Sequence, residues 1–237
     1  MAERFFCERG GDGVLVSLVG DEARHLARVR RIAVGETVEL FNGRGFATLA
    51  KVMAVGRQGV ELRPTGHPLP DRVAPVDLTL ATAVPKGERF DWLIEKATEL
   101  GVTRLIPIVT ERSVVDPRPA KLERLRRAVI EACKQCGRNR LMTIEQACRW
   151  DDLLTTAGSG TRYLAHPHGI ALPAWPCPTR GGAAWMAIGP EGGFTEPEVA
   201  RAREVGWVPV GLGSSLLRIE TAGVVGCARV LALAESI

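Results

Sequence analysis

No apolar run in the 237 residues approaches the roughly 18 that a membrane-spanning helix needs, so a helical membrane protein is excluded. Low-complexity tracts and internal repeats are missing too. With 46% hydrophobic and 24% charged residues, the chain can build a core, which excludes disorder as its dominant state. The opening stretch Met1-Ala2-Glu3-Arg4-Phe5-Phe6-Cys7-Glu8-Arg9 carries charge where a signal peptide needs apolar residues. A cytoplasmic location is expected.

Several catalytic signatures are absent. There is no Gly-x-x-x-x-Gly-Lys-Ser/Thr loop for nucleoside triphosphates and no Gly-x-Ser-x-Gly elbow for a serine hydrolase. His25, His67, His166 and His168 show no metal-helix spacing. Cys133-Lys134-Gln135-Cys136 matches C-x-x-C, but it lies in a charged helical stretch with no second pair to complete a zinc site. No metal is expected, and the six cysteines are read as reduced. Gly211-Leu212-Gly213 begins like a dinucleotide fingerprint, yet Leu216 stands where its third small residue belongs. No βαβ unit follows it either.

The net charge of +4 is unevenly spread, since residues 118–149 hold nine basic against three acidic residues. Such a patch fits a polyanion such as nucleic acid, and it also fits a solvated helix face. Lysine is scarce at five against 26 arginines. Arginine suits phosphate forks and base stacking, although coding bias gives the same excess.

The segment Arg63–Pro75 holds four prolines in thirteen residues and reads as a stiff linker. Before it, Gly13–Leu18, Thr37–Phe41, Phe46–Val55 and Gly59–Leu62 read as short strands, with a helix over Asp21–Ile32. This pattern predicts a small β-barrel domain over residues 1–70. After it, strands at Asp77–Ala83, Arg104–Val109, Arg162–Ala165, Ala183–Ile188 and Val208–Gly211 alternate with helices at Phe90–Leu100, Pro119–Cys136, Glu196–Val205 and Ile219–Ala234. Alternation predicts an α/β domain with a mainly parallel sheet over residues 76–237.

Two glycine-rich stretches follow predicted strands: Ile188-Gly189-Pro190-Glu191-Gly192-Gly193 and Gly211-Leu212-Gly213-Ser214-Ser215-Leu216-Leu217-Arg218. Each alone reads as an ordinary turn and cap. Both at strand ends of one domain favour a ligand site, because ligands of such sheets bind at the carboxyl ends of strands. His166-Pro167-His168 ends a third strand and suits either a ligand loop or solvent.

The first loop, followed by Leu212-Gly213 and Leu217-Arg218-Ile219-Glu220-Thr221-Ala222, resembles the signature of the RsmE-type ribosomal RNA methyltransferases of the SPOUT class. Phe5-Phe6, His25–Arg31, Lys86-Gly87-Glu88-Arg89, Lys96–Val102, Glu111-Arg112-Ser113 and Gln135-Cys136-Gly137-Arg138 are similar to further stretches of that family, in the same order. The chain departs from it at Ser214-Ser215, where the family has a basic pair, and at Arg30 and Ile219.

The resemblance implies a PUA-like barrel, a C-terminal trefoil knot, a homodimer, and S-adenosylmethionine-dependent methylation of uridine N3 in 16S ribosomal RNA or the small ribosomal subunit. It places the cofactor against His166, Ile188, Gly189, Pro190, Glu191, Gly192, Gly193, Leu212, Gly213 and Leu217. Arg218 is the expected catalytic cation for charge developing on the base oxygens. Glu191 reads either as a general base or as a backbone hydrogen-bond partner. Arg28, Arg31, Lys86, Arg112, Arg138 and Arg140 are the expected RNA contacts. The last helix is apolar on nearly every face, with Gly223 and Gly226 expected to let two chains approach. The alternative to an enzyme is a non-catalytic RNA-binding module, which needs no pair of glycine loops.

Overall fold

The computed structural model describes residues 3–8, 15–24, 32–56, 59–115, 122–172 and 174–236. The chain divides into two compact units. One holds residues 1–73 with 130–141, and the other holds 74–129 with 142–237.

The first unit carries strands β1 Arg4–Phe6, β2 Val16–Leu18, β3 Thr37–Phe41, β4 Ala47–Val55 and β5 Val60–Pro68, and helix α1 Gly20–Arg24. The strands form one sheet in the order β1-β3-β4-β5-β2, antiparallel except for β1 beside β3. Alternation sends Val38 and Leu40, Ala50 and Val52, and Val60 and Leu62 to one core around Phe5 and Leu18. The expected linker is corrected: β5 runs on through Pro64 to Pro68. Proline is tolerated there because β2 pairs only as far as Leu62, and the β4–β5 register slips between Thr48 and Ala50. The expected helix over Asp21–Ile32 is described only to Arg24. Its continuation, with Arg28 and Arg31, lies outside the described residues.

Residues 130–141 complete this unit. Arg4 donates to the Asn139 side-chain oxygen at 2.7 Å and to the Arg138 carbonyl at 3.1 Å. Asn139 in turn donates to the Pro70 carbonyl at 3.1 Å.

The second unit is α/β, as expected. Strands β6 Asp77–Ala83, β7 Arg104–Val109, β8 Thr143–Ile144, β9 Cys148–Arg149, β10 Thr161–Ile170, β11 Ala183–Ile188 and β12 Trp207–Val210 are all parallel. Their order is β12-β10-β11-β6-β7-β8, with β9 also on β7. Helices α2 Arg89–Leu100, α3 Leu122–Cys136, α4 Trp150–Thr156, α5 Glu196–Glu204 and α6 Ile219–Glu235 connect or follow them, and α3 passes into the first unit at Ile130. Strands β6 and β11 are buried almost throughout, as parallel strands covered on both faces must be. Strands β8 and β9 and helix α4 are additions to the sequence reading. Among the described residues no helix is long and apolar enough to cross a membrane.

The expected role of two glycines is corrected. A Cβ on Gly223 would fall 2.9 Å from a methyl of Leu93, and one on Gly226 would fall 3.0 Å from the Met186 side chain. They let α6 approach its own sheet and α2 rather than a second chain. The other stripe of α6, with Thr221, Val224, Val225 and Ala228, is only half-buried.

Candidate functional site

Strand order creates the site. Because β10 lies between β11 and β12, the carboxyl ends of these three strands stand side by side. The loop 189–195 leaves β11, the loop 211–218 leaves β12, and His166 and Pro167 lie within β10 just past Ala165, where its pairing with β12 is interrupted.

The first loop is a tight turn, closed by the Gly193 N–H on the Pro190 carbonyl at 2.8 Å. Gly193 takes φ of 71°, where L side chains are strained. Gly189 is required for packing: a Cβ there would lie 2.9 Å from the Phe194 ring. That ring is buried against Trp150, with centroids 4.8 Å apart. Thr195 then caps α5 in a reciprocal capping box with Glu198.

The second loop is anchored at its start. The Gly211 N–H donates to the Ile170 carbonyl at 2.9 Å, and Arg229 of α6 donates to the Gly211 carbonyl at 3.1 Å. Gly213 has φ of 140°, a conformation reserved for glycine. The loop ends at Arg218, which occupies the N-cap position of α6 without a side-chain capping bond.

Between the loops lies a cavity of about 370 Å³. His166, Ile188, Gly189, Pro190, Glu191, Gly192, Gly193, Leu212, Gly213 and Leu217 all line it, so the structure brings together every residue expected at the cofactor. Ala165, Pro167, Ser214, Ser215, Leu216, Ile219 and Ala222 complete the wall. Its size matches pockets for drug-sized ligands, which combine apolar walls with a few polar groups.

Arg218 is exposed and is not part of the wall. Its guanidinium has no hydrogen-bond or ion-pair partner among the described residues, and it directly precedes Ile219, which is part of the wall. Glu191 lies 3.9 Å from Arg89, whose guanidinium also faces Glu220 at 3.8 Å. Burial holds the His166 imidazole below its ordinary 6.5, His168 and Arg203 act the same way, and Glu196 opposes them. The His168 N–H donates to His166 Nδ1 at 3.2 Å, which leaves the proton of the neutral ring on Nε2.

The expected RNA contacts separate. Lys86, Arg112 and Arg140 are exposed. Arg112 donates to the Gly192 carbonyl at 2.7 Å, and Arg140 donates to Asp71 at 2.8 Å. Arg138 differs from them: it is buried, only 7% exposed, which does not favour the expected phosphate contact. Burial pushes its pKa below the ordinary arginine range, as desolvation of a cation requires. The C-x-x-C pair is likewise not a redox site in form. Cys133 is buried, and desolvation pushes its thiol up to about 12, away from a reactive thiolate.

Sequence reading did not find Arg89, Glu111, Glu198, Glu220 and Arg229. Glu198 had a signal, since Thr195-x-x-Glu198 before a helix is a capping box. Arg89, Glu111 and Glu220 stand inside stretches similar to the family but had no role assigned, and Arg229 lies eleven residues beyond the second loop with no local mark.

The family model described as RNA methyltransferase domain matches residues 72–231, and the RNA methyltransferase PUA domain matches residues 18–65. The ribosomal RNA small subunit methyltransferase E of Synechocystis is 32% identical over 236 residues, covering 93% of this chain and 74% of that protein. Its Bacillus subtilis namesake is 30% identical, covering 87% and 85%. A crystal structure of ribosomal RNA small subunit methyltransferase E from Neisseria gonorrhoeae, bound to S-adenosyl methionine, superposes with a TM-score of 0.90 at 32% identity, covering 98% of each chain.

Proposed function

The chain belongs to the RNA methyltransferase family that includes the small-subunit methyltransferases E, and on that premise we propose that it methylates N3 of a uridine in 16S ribosomal RNA with S-adenosylmethionine. The observation that carries this reading is the joint lining of one cavity by both glycine loops and residues 165–167 of β10.

The residues present fit the cofactor. Backbone of Gly189–Gly193 and Leu212–Gly213 is open to a ligand, Ile188, Leu217 and Ile219 offer an apolar wall for a planar base, and His166 and Glu191 supply polar groups. When bound, S-adenosylmethionine supplies an activated methyl group. The protein's task is then orientation of the acceptor and removal of its proton. Arg218, exposed beside the cavity and without a hydrogen-bond or ion-pair partner among the described residues, would meet negative charge developing on the uridine oxygens as N3 loses its proton. Glu191 is paired loosely with Arg89 and half-exposed at the wall, where it would be an acceptor for hydrogen bonds from a ligand. Lys86 and Arg140 are the exposed cations offered to RNA phosphates.

A homodimer is part of the proposal. It is supported by the half-buried stripe of α6 through Thr221, Val224, Val225 and Ala228, which a single chain leaves partly open. Calorimetry with S-adenosylhomocysteine tests the cavity. Binding of one equivalent per chain, lost in a His166/Gly213 double variant, supports it, and no binding by the wild type contradicts it.

A further inference from the structure

We propose that the turn Glu111–Ser113 braces the first glycine loop and that Arg112 is a positioning residue for the cofactor rather than only a phosphate contact. The proposal rests on the reading of the cavity as the S-adenosylmethionine site.

The turn grips the loop at two points. At the first, the Arg112 guanidinium donates to the Gly192 carbonyl at 2.7 Å, a short charge-assisted bond. The Arg112 stem also packs on the glycine itself: a Cβ on Gly192 would fall 3.3 Å from Arg112 Cδ and 3.5 Å from its Cβ. Gly192 is therefore small on its Arg112 side, and φ there is not in the left-handed region. At the second point, the Glu111 N–H donates to Glu198 Oε1 at 2.9 Å, and the Glu111 carboxylate approaches the Thr195 hydroxyl at 3.3 Å. Glu198 is 3% exposed and also accepts from the Thr195 N–H at 2.8 Å. Ser113 fixes the turn from behind by accepting from the Thr110 N–H at 2.9 Å.

The physical consequence is preorganisation. The loop contains Gly189, Gly192 and Gly193, and a glycine-rich segment loses the most backbone freedom when it is ordered. A loop held at Gly192 and Thr195 before the ligand arrives spends less of the binding free energy on that ordering. A residue serving only as a phosphate contact has no such effect on cofactor affinity when RNA is absent.

The experiment is calorimetric titration of S-adenosylhomocysteine, without RNA, into wild type, Arg112→Met, Arg112→Lys, Gly192→Ala and the Arg112→Met/Gly192→Ala double variant, each checked by its melting temperature. Methionine keeps the apolar stem and removes the donor. The affinity is expected to fall about tenfold in Arg112→Met, and to recover to within about threefold of wild type in Arg112→Lys, which retains a cationic donor. The two single effects are expected to be non-additive in the double variant, because both act through one contact. An Arg112→Met protein that melts like the wild type and binds with wild-type affinity overturns the brace, as does strict additivity. Failure of the wild type to bind overturns the cofactor reading instead.

Discussion

Arg89 is the cation that faces Glu220, at 3.8 Å, and Glu220 is a carboxylate only 8% exposed in the first turn of α6. One oxygen of that carboxylate, Oε2, is buried without a hydrogen-bond partner among the described residues. The arrangement predicts an asymmetry. Arg89→Gln leaves a buried charge without an ion-pair partner among the described residues and is expected to cost about 1–2 kcal/mol, between exposed and buried pairs. Glu220→Gln removes the charge itself and is expected to cost less. Urea denaturation of both variants checks the order, and equal losses would contradict it.

Gly226 touches Met186 where two elements of the same chain meet. Gly226→Ala overpacks a contact in which Met186 is fully buried, at an expected cost of about 1–3 kcal/mol. The molar mass in solution is expected to stay unchanged. A shift in mass with no loss of stability would return this glycine to a subunit interface.

Val225 lies on the opposite stripe of α6, half-buried beside Thr221, Val224 and Ala228. A charge on that stripe is compatible with the folded monomer but not with two-fold packing through it. Val225→Asp is therefore expected to convert a dimer into a folded monomer by light scattering at micromolar concentration. A dimeric variant would move the interface elsewhere.

The loops themselves were legible because each follows a strand and carries its glycines in sequence. Strand β11, from Ala183 to Ile188, and the start of α5 after Thr195 match the sequence reading at each end. What no local pattern encodes is strand order, and only the placement of β10 between β11 and β12 makes one site of two loops. The brace is hidden for the same reason, with Arg112 and Gly192 80 residues apart. Prolines misled the reading in the first unit, since Pro64 and Pro68 resemble a linker yet sit where β5 has lost its β2 neighbour. Strand β10 continues past Ala165 despite Pro167 and Gly169, and Gly169 is needed there because a Cβ would fall 2.3 Å from the Val210 backbone.

His166 adds a pH dependence. Its pKa is held below 6.5 in the fold, chiefly by burial. Above 6.5 both folded and unfolded chains are neutral at this ring, and its contribution does not vary. As pH falls below 6.5 the unfolded chain takes up the proton first, so stability declines with acidification. The bond from the His168 N–H to Nδ1 is lost when that nitrogen is protonated. His166→Gln is expected to remove this component, seen as a shallower fall in the urea midpoint as the pH is lowered below 6.5. An unchanged slope would place the titration at another group.

The most direct test of the account is transfer of an isotopically labelled methyl group from S-adenosylmethionine to small-subunit ribosomal RNA, presented both free and in the subunit, followed by mass spectrometry of the nucleosides. The account predicts label in N3-methyluridine at a single site with wild-type protein, and little or none with Arg218→Ala, which keeps the cavity wall intact. A wild-type protein that binds S-adenosylhomocysteine but labels neither form of the RNA, or labels a position other than a uridine N3, would contradict it.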